Sequence, residues 1–206
     1  MANNSKTNPE PPKDSAPRKP SLLRRLIQLG LVLVIAIASY ALWLQFVAVK
    51  PSLSREEQQK FLSSVPVTTT NRLIIPKIAV NNEIGEGDWH VLDQAKSWHR
   101  YPERGNPQRG GNFILAAHRY VFAWLPQRVT EMSVLYNIDK LAAGDTIYID
   151  WQSQRYQYTI EKVSLVAPSD TDIEQPTKDS RLTLYSCTLK GERDGRELII
   201  AKPTKP

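Results

Sequence analysis

The sequence predicts a mainly β domain, a closed or nearly closed barrel of five or more strands with one or two short helices, preceded by a single N-terminal transmembrane helix. Three observations predict it. An uncharged apolar run extends from Leu26 to Val49. From Arg72 onward the chain breaks into short apolar or alternating runs separated by Gly, Pro, Asp and Asn. Only one segment within that region carries helical spacing. With 206 residues, 41% hydrophobic and 23% charged, the chain can bury one ordinary core beside terminal segments but not two large domains.

Residues 1–21 are rich in Pro, Lys, Asn and Ser and are expected to form a disordered cytoplasmic tail. The next segment, 22–49, reads as the membrane helix, because its uncharged run LIQLGLVLVIAIASYALWLQFVAV is long enough to cross a ~30 Å hydrocarbon core at about 1.5 Å per residue. Tyr40, Trp43 and Phe46 gather toward the far interface, where amphipathic rings are favoured. Arg24 and Arg25 mark the cytoplasmic side, so the N-terminus is expected inside and everything after about Lys50 outside. A cleaved signal peptide is the competing reading, but the run exceeds the usual h-region and ends in no A-x-A site.

After the membrane run, residues 50–70 read as a stalk. In PSLSREEQQKFLSS, Ser54 is an N-cap candidate with acidic residues in the first turn of a short helix. Residues 71–206 read as the extracytoplasmic domain. Its predicted strands are RLIIPKIAV, GNFILAAH, DTIYIDW, RYQYTIEKVSLV, RLTLYSC and RELIIAKP. Between the second and third, EMSVLYNIDKLAAG sets Met132, Leu135, Ile138 and Leu141 at helical spacing with Gly144 as a stop, which predicts one short helix there. Closure of the sheet removes exposed edges.

The net charge of +6 does not indicate a nucleic-acid partner. Lys6, Lys13, Arg18, Lys19, Arg24 and Arg25, against only Glu10 and Asp14, place a net +4 ahead of the apolar run and leave about +2 for the rest. A single cysteine cannot form an intramolecular disulfide. Cys187 ends the strand RLTLYSC and is followed by the polar, Gly-containing TLKGERDGR, so its thiol is expected at a strand terminus beside a loop. A lone cysteine is more often a small buried hydrophobe, so its neighbours decide. Arg196 opens the next strand, and antiparallel pairing across so short a connection would set it near Cys187, where a guanidinium can donate to an oxyanion. Of the three histidines, His118 ends a strand-like run and is the candidate proton carrier; His90 and His99 lie in a less regular polar stretch.

These residues carry a family resemblance. TLYSC resembles the sortase TLxTC signature, AAHR resembles its A-G-H-R segment, and RELIIA resembles its catalytic-arginine strand, in the order His, Cys, Arg. The similarity runs from about Arg72 to Lys202 and includes LIIPKIAV, LAAGDTIYI and VAPSDTDI. It implies an eight-stranded barrel and a membrane-anchored cysteine transpeptidase. Its substrate would be a surface protein bearing a C-terminal sorting signal similar to LPxTG, and its amine acceptor a cell-wall precursor or a pilin lysine. On that resemblance Cys187 attacks the signal's Thr carbonyl, His118 protonates the departing amine and later deprotonates the acceptor, and Arg196 stabilises the oxyanion. A thiol peptidase that mainly hydrolyses its intermediate, and a membrane-tethered peptide-binding module without turnover, remain the alternatives. Ala117 stands where the family usually has Gly, and Ser186 where it usually has Thr.

No cofactor is expected. Asp170, Asp172 and Glu174 could ligate Ca²⁺ but are read as solvated loop acids. Trp89, Trp98, Trp124 and Trp151 could line a peptide groove but are read as core aromatics.

Overall fold

The computed structural model describes residues 21–204; the expected tail lies outside the described residues apart from Ser21. Two compact units separate between Tyr40 and Ala41.

The first unit consists, among the described residues, of the start of α1 (Leu22–Leu44). The helix's 23 residues rise roughly 34 Å at about 1.5 Å each, and large apolar side chains are exposed around it, Ile27, Leu29, Leu31 and Val32 among them. A helix of this length and composition is compatible with a single-pass membrane span.

In the second unit, Ser54 caps α2 (Arg55–Ser63) through a capping box with Glu57. Nine strands follow: β1 (Arg72–Ile75), β2 (Val80–Gly85), β3 (Ser97–Arg100), β4 (Gly105–Asn106), β5 (Gly110–Ala116), β6 (Thr146–Trp151), β7 (Gln154–Val166), β8 (Arg181–Thr188) and β9 (Gly191–Pro203), with α3 (Pro126–Met132) between β5 and β6. The order β3-β2-β1-β6-β7-β9-β8-β5 closes through β3–β5 pairing, giving an eight-stranded barrel with the two-residue β4 outside the ring. Two pairs, β2–β3 and β5–β8, are parallel; the other pairs around the ring are antiparallel.

Alternation fills the interior. Leu73 and Ile75, Phe113 and Leu115, Ile147 and Ile149, Leu182 and Leu184, and Ile199 and Ala201 all enter one buried cluster, each position two residues from its strand neighbour. Burying a Leu, Ile or Phe side chain contributes about 1.5–3 kcal/mol, so these pairs hold the ring shut.

The structure departs from the sequence expectations at four places. RLIIPKIAV is not one strand: Pro76 opens a 3-10 turn (Pro76–Ile78), Ala79 turns left-handed with φ 52°, and the chain reverses into β2. Proline lacks the ladder donor, so the run breaks there. The short helix lies earlier than predicted, as α3; Leu135 follows it in a turn and Ile138–Lys140 is a 3-10 turn. Met132, Leu135, Ile138 and Leu141 are nevertheless all buried, because spacing of three suits 3-10 geometry as well as α. Trp151 is core, but Trp89 and Trp124 are 55% and 60% exposed. Glu174 is buried rather than solvated.

Candidate active site

Strands β5 and β8 run parallel, so both carry their C-terminal ends to the same rim of the barrel. Ala116 pairs with Tyr185. Beyond that pair the Ala117 amide donates to the Tyr185 carbonyl at 3.3 Å and the Ser186 hydroxyl donates to the Ala117 carbonyl at 2.8 Å. His118 and Cys187 are the next residues along the two chains beyond that link. On the other side of β8, antiparallel β9 pairs Arg196 directly with Cys187. The three candidates therefore lie at or just beyond the ends of three adjacent strands, with that of Cys187 in the middle.

Alternation decides which way the thiol faces. Leu182 and Leu184 enter the barrel core, as Ser186 must by period, so Thr183, Tyr185 and Cys187 share the outer face. Leading to Cys187 on that face is a second apolar cluster of Ile114, Ala116, Tyr185 and Leu198, with Trp98, Tyr101, Val166, Ile173 and Ile200 packed against it. Cys187 is half-buried.

Beyond Cys187 the register shifts: Thr188 pairs with Gly191, so residues 192–195 form a bulge in β9. The Thr188 hydroxyl donates to Asp194 Oδ2 at 2.7 Å. Arg196 Nη1 donates back to the carbonyls of Glu192 and Gly195 at 2.5 and 3.1 Å. The bulge thus fixes the guanidinium at the rim and leaves Nε and Nη2 for other acceptors. A Cβ at Gly195 would lie 3.2 Å from the Val166 carbonyl and 3.3 Å from Thr188 Cγ2, so a larger residue there would push its neighbours aside by a few tenths of an ångström.

His118 is half-buried, its carbonyl accepting from the Leu135 amide at 3.0 Å. Burial holds its imidazole below the ordinary 6.5, and the Asp93 carboxylate offsets part of that shift. The other histidines have structural partners. His99 is buried, with its ring nitrogens 2.9 Å from Glu86 Oε1 and 3.1 Å from the Gly105 carbonyl, and its ring edge-on to Phe113 and Trp151. His90 stacks on Trp89 and lies 3.0 Å from Asp88.

The two departures from the family pattern take a structural meaning. Ala117 does not occupy the left-handed region, and its methyl packs in the barrel core. Ser186 adds a side-chain bond between β8 and the residue that follows β5.

Sequence reasoning missed two polar clusters. Arg119, 4% exposed, donates to Glu197 Oε1 at 2.8 Å and to the Tyr136 carbonyl at 3.1 Å, and pairs with Asp139 at 2.9 Å; it joins the neighbour of His118 to the neighbour of Arg196. Below Cys187, the Tyr185 hydroxyl donates to Glu174 Oε1 at 2.6 Å and accepts from Arg100 Nη1 at 3.0 Å, while Arg100 pairs with the same carboxylate at 2.8 Å. Burial and the Glu174 carboxylate keep the Tyr185 phenol protonated. The outward alternation of Tyr185 was readable in TLYSC, but nothing local joins it to Glu174 or Arg100. Among the described residues, no group of three or more His, Cys, Asp or Glu side chains is arranged to hold a metal ion.

Comparison with known proteins gives one consistent result. A family model described as the Sortase domain matches residues 73–204. Sortase A of Listeria monocytogenes is 27% identical over 96 residues, which span 46% of this chain but only 39% of that protein. Among solved structures, the Clostridium perfringens Sortase D5 transpeptidase is 29% identical with a TM-score of 0.53, over 74% of this chain and 90% of that one. The SrtA sortase of Actinomyces oris is 26% identical with a TM-score of 0.54, over 76% of this chain and 86% of that one.

Proposed function

The chain belongs to the sortase family, and from that premise we propose that it is a membrane-anchored cysteine transpeptidase with Cys187 as nucleophile, His118 as acid/base and Arg196 as oxyanion donor. The observation that carries the reading is the register, which pairs Cys187 with Arg196 across β8 and β9 and aligns the end of β5, and so His118, with the same rim.

His118 takes the Cys187 thiol proton as the sulfur attacks the scissile carbonyl carbon; the C–S bond forms and the carbonyl electrons move onto oxygen. Arg196 N–H groups stabilise that oxyanion at the strand end. As it collapses, the peptide C–N bond breaks and the leaving amine takes a proton from His118. In the second half an acceptor amine gives its proton to His118 and attacks the thioester; a new C–N bond forms, the C–S bond breaks, and the departing Cys187 sulfur regains its proton from His118. A covalent intermediate splits one difficult exchange into two easier ones. The lowered imidazole pKa suits a group that must give up its proton readily near neutral pH.

The apolar cluster of Ile114, Ala116, Tyr185 and Leu198 leading to Cys187 supports a peptide substrate with apolar side chains, such as an LPxTG-like sorting signal on a surface protein. The acceptor would be an amine on a cell-wall precursor or a pilin. Helix α1 would cross the membrane once, and Arg24 and Arg25 support a cytoplasmic N-terminus with the barrel outside. Residues 50–70, including α2, would act as the stalk.

Intact-mass measurement of the full chain in detergent, incubated with LPxTG-like peptides and a small amine, tests the reading. The expected result is an acyl adduct on Cys187, resolved by the amine and absent in Cys187→Ala. Undiminished product from Cys187→Ala sinks the assignment. An adduct that yields only free acid, whatever amine is added, favours the hydrolytic alternative. Peptide binding without adduct favours the binding module.

A further inference from the structure

We propose that the segment after His118, Val121–Leu125, is a membrane-contacting loop whose Phe122, Trp124 and Leu125 enter the interfacial layer of the bilayer that α1 crosses. The inference rests on reading α1 as a membrane span.

The end of the apolar run is not a free tether. Leu44 and Ala48 are buried, at 0% and 3% exposed, in a cluster with Val129, against which Val47, Tyr120, Ala123 and Tyr136 pack. The Tyr136 hydroxyl donates to the Gln45 carbonyl at 3.0 Å and the Lys140 ammonium to the Lys50 carbonyl at 2.5 Å. Residues 120–140 are therefore fixed, by direct contact, to the few residues where the chain leaves the hydrocarbon.

The loop divides its side chains at that level. Tyr120 and Ala123 turn toward residues 44–48, whereas Phe122, Trp124 and Leu125 are 47%, 60% and 63% exposed. Phe122 and Trp124 meet edge to face with centroids 5.2 Å apart. Phe46 and Val49, on the partner side of the contact, are also exposed, at 62% and 44%. Large apolar groups clustered on a surface mark an interaction site, and Trp with neighbouring Phe and Leu is the composition favoured where a protein meets the acyl and headgroup boundary. The occupant is the bilayer because the same chain enters it at the contact that holds the loop.

His118 lies three residues ahead of Val121, so a loop seated in the interface fixes the height of the catalytic rim above the membrane. The mouth would then face substrates and acceptors held at the lipid surface.

The test is quenching of tryptophan fluorescence in the full chain, reconstituted in phosphatidylcholine and phosphatidylglycerol vesicles with lipids brominated near the headgroup end of the acyl chain. Removing Trp124 as Trp124→Phe is expected to lower the quenched fraction at least twofold more than Trp89→Phe does. Phe122→Ser with Leu125→Ser, at exposed positions that leave the fold intact, is expected to reduce the quenching due to Trp124 at least twofold. If Trp43→Phe lowers the quenching but Trp124→Phe does not, the span stands and the loop assignment is wrong. If neither does, the span reading and this inference both fall.

Discussion

Replacing Arg119 with Met should destabilise the barrel by about 3 kcal/mol, and the figure can be built from its partners. Arg119 is 4% exposed and satisfies Glu197 Oε1, Asp139 Oδ1 and the Tyr136 carbonyl. The Glu197 side chain is only 22% exposed, so its charge-assisted bond is worth about 1.5–2 kcal/mol. Asp139 is 51% exposed, and water screens that pair to about 0.5 kcal/mol. The Tyr136 carbonyl adds about 1 kcal/mol. Methionine fills the volume but leaves two carboxylates uncompensated, the case in which breaking a buried pair costs most. For a domain of this size the loss corresponds to a Tm lower by roughly 6–12 °C. Arg119→Lys keeps the charge but cannot fork to both carboxylates and the carbonyl, so it should recover only about half of the loss. Thermal unfolding of the full chain in one detergent, followed by circular dichroism, measures both variants. A Met variant within about 0.5 kcal/mol of the parent, or a Lys variant less stable than Met, would refute the reasoning.

Three further predictions concern the strand ends. Ser186→Ala removes the donor to the Ala117 carbonyl and should cost about 1–2 kcal/mol; because that bond aligns the His118 and Cys187 strands, thioacyl formation should also slow about tenfold in a stopped mass-spectrometric assay. Ala117→Gly, which restores the usual family residue, should give no gain in rate and lose about 1–2 kcal/mol by chemical denaturation, since the Ala117 methyl is core packing at an ordinary φ. Above pH 6.5 His118 is neutral in both folded and unfolded chains. As pH falls from 6.5 toward its lowered folded value, the unfolded chain binds the proton first and stability declines. Denaturation at several pH values should show that decline in the parent and a shallower one in His118→Gln, whereas Asp93→Asn should extend it to lower pH.

Much of the candidate site was legible in the sequence. Cys187 and Arg196 bracket a short polar connection between two β-patterned runs, and antiparallel pairing then leaves them few places except opposite each other. His118 could be separated from His90 and His99 because in the sequence only it ends a strand-like run. What brought the end of β5 to the end of β8, however, was their parallel pairing, across 64 residues of intervening chain from Ala117 to Ser180. No local pattern reports a pairing of that range. The short strands β2 and β3 escaped notice for a related reason: VNNEIG and SWHR lack strong β composition, and they form because β1 and β5 present unpaired backbone to them.

Sequence by itself determined the long apolar run, the capped helix α2 and five of the six long runs as strands, and it singled out His118, Cys187 and Arg196 as the candidate residues. These follow from period, composition and capping, which act within a few residues along the chain. Tertiary structure alone decided the break at Pro76 as a strand reversal, the burial of Glu174 against Tyr185 and Arg100, the bridge of Arg119 to Glu197, and the docking of residues 44–50 on the segment that follows His118. Each of those depends on which distant groups arrive at the same place, and an ion pair or a packing contact has no signature in either partner's neighbourhood until closure of the barrel brings the two together.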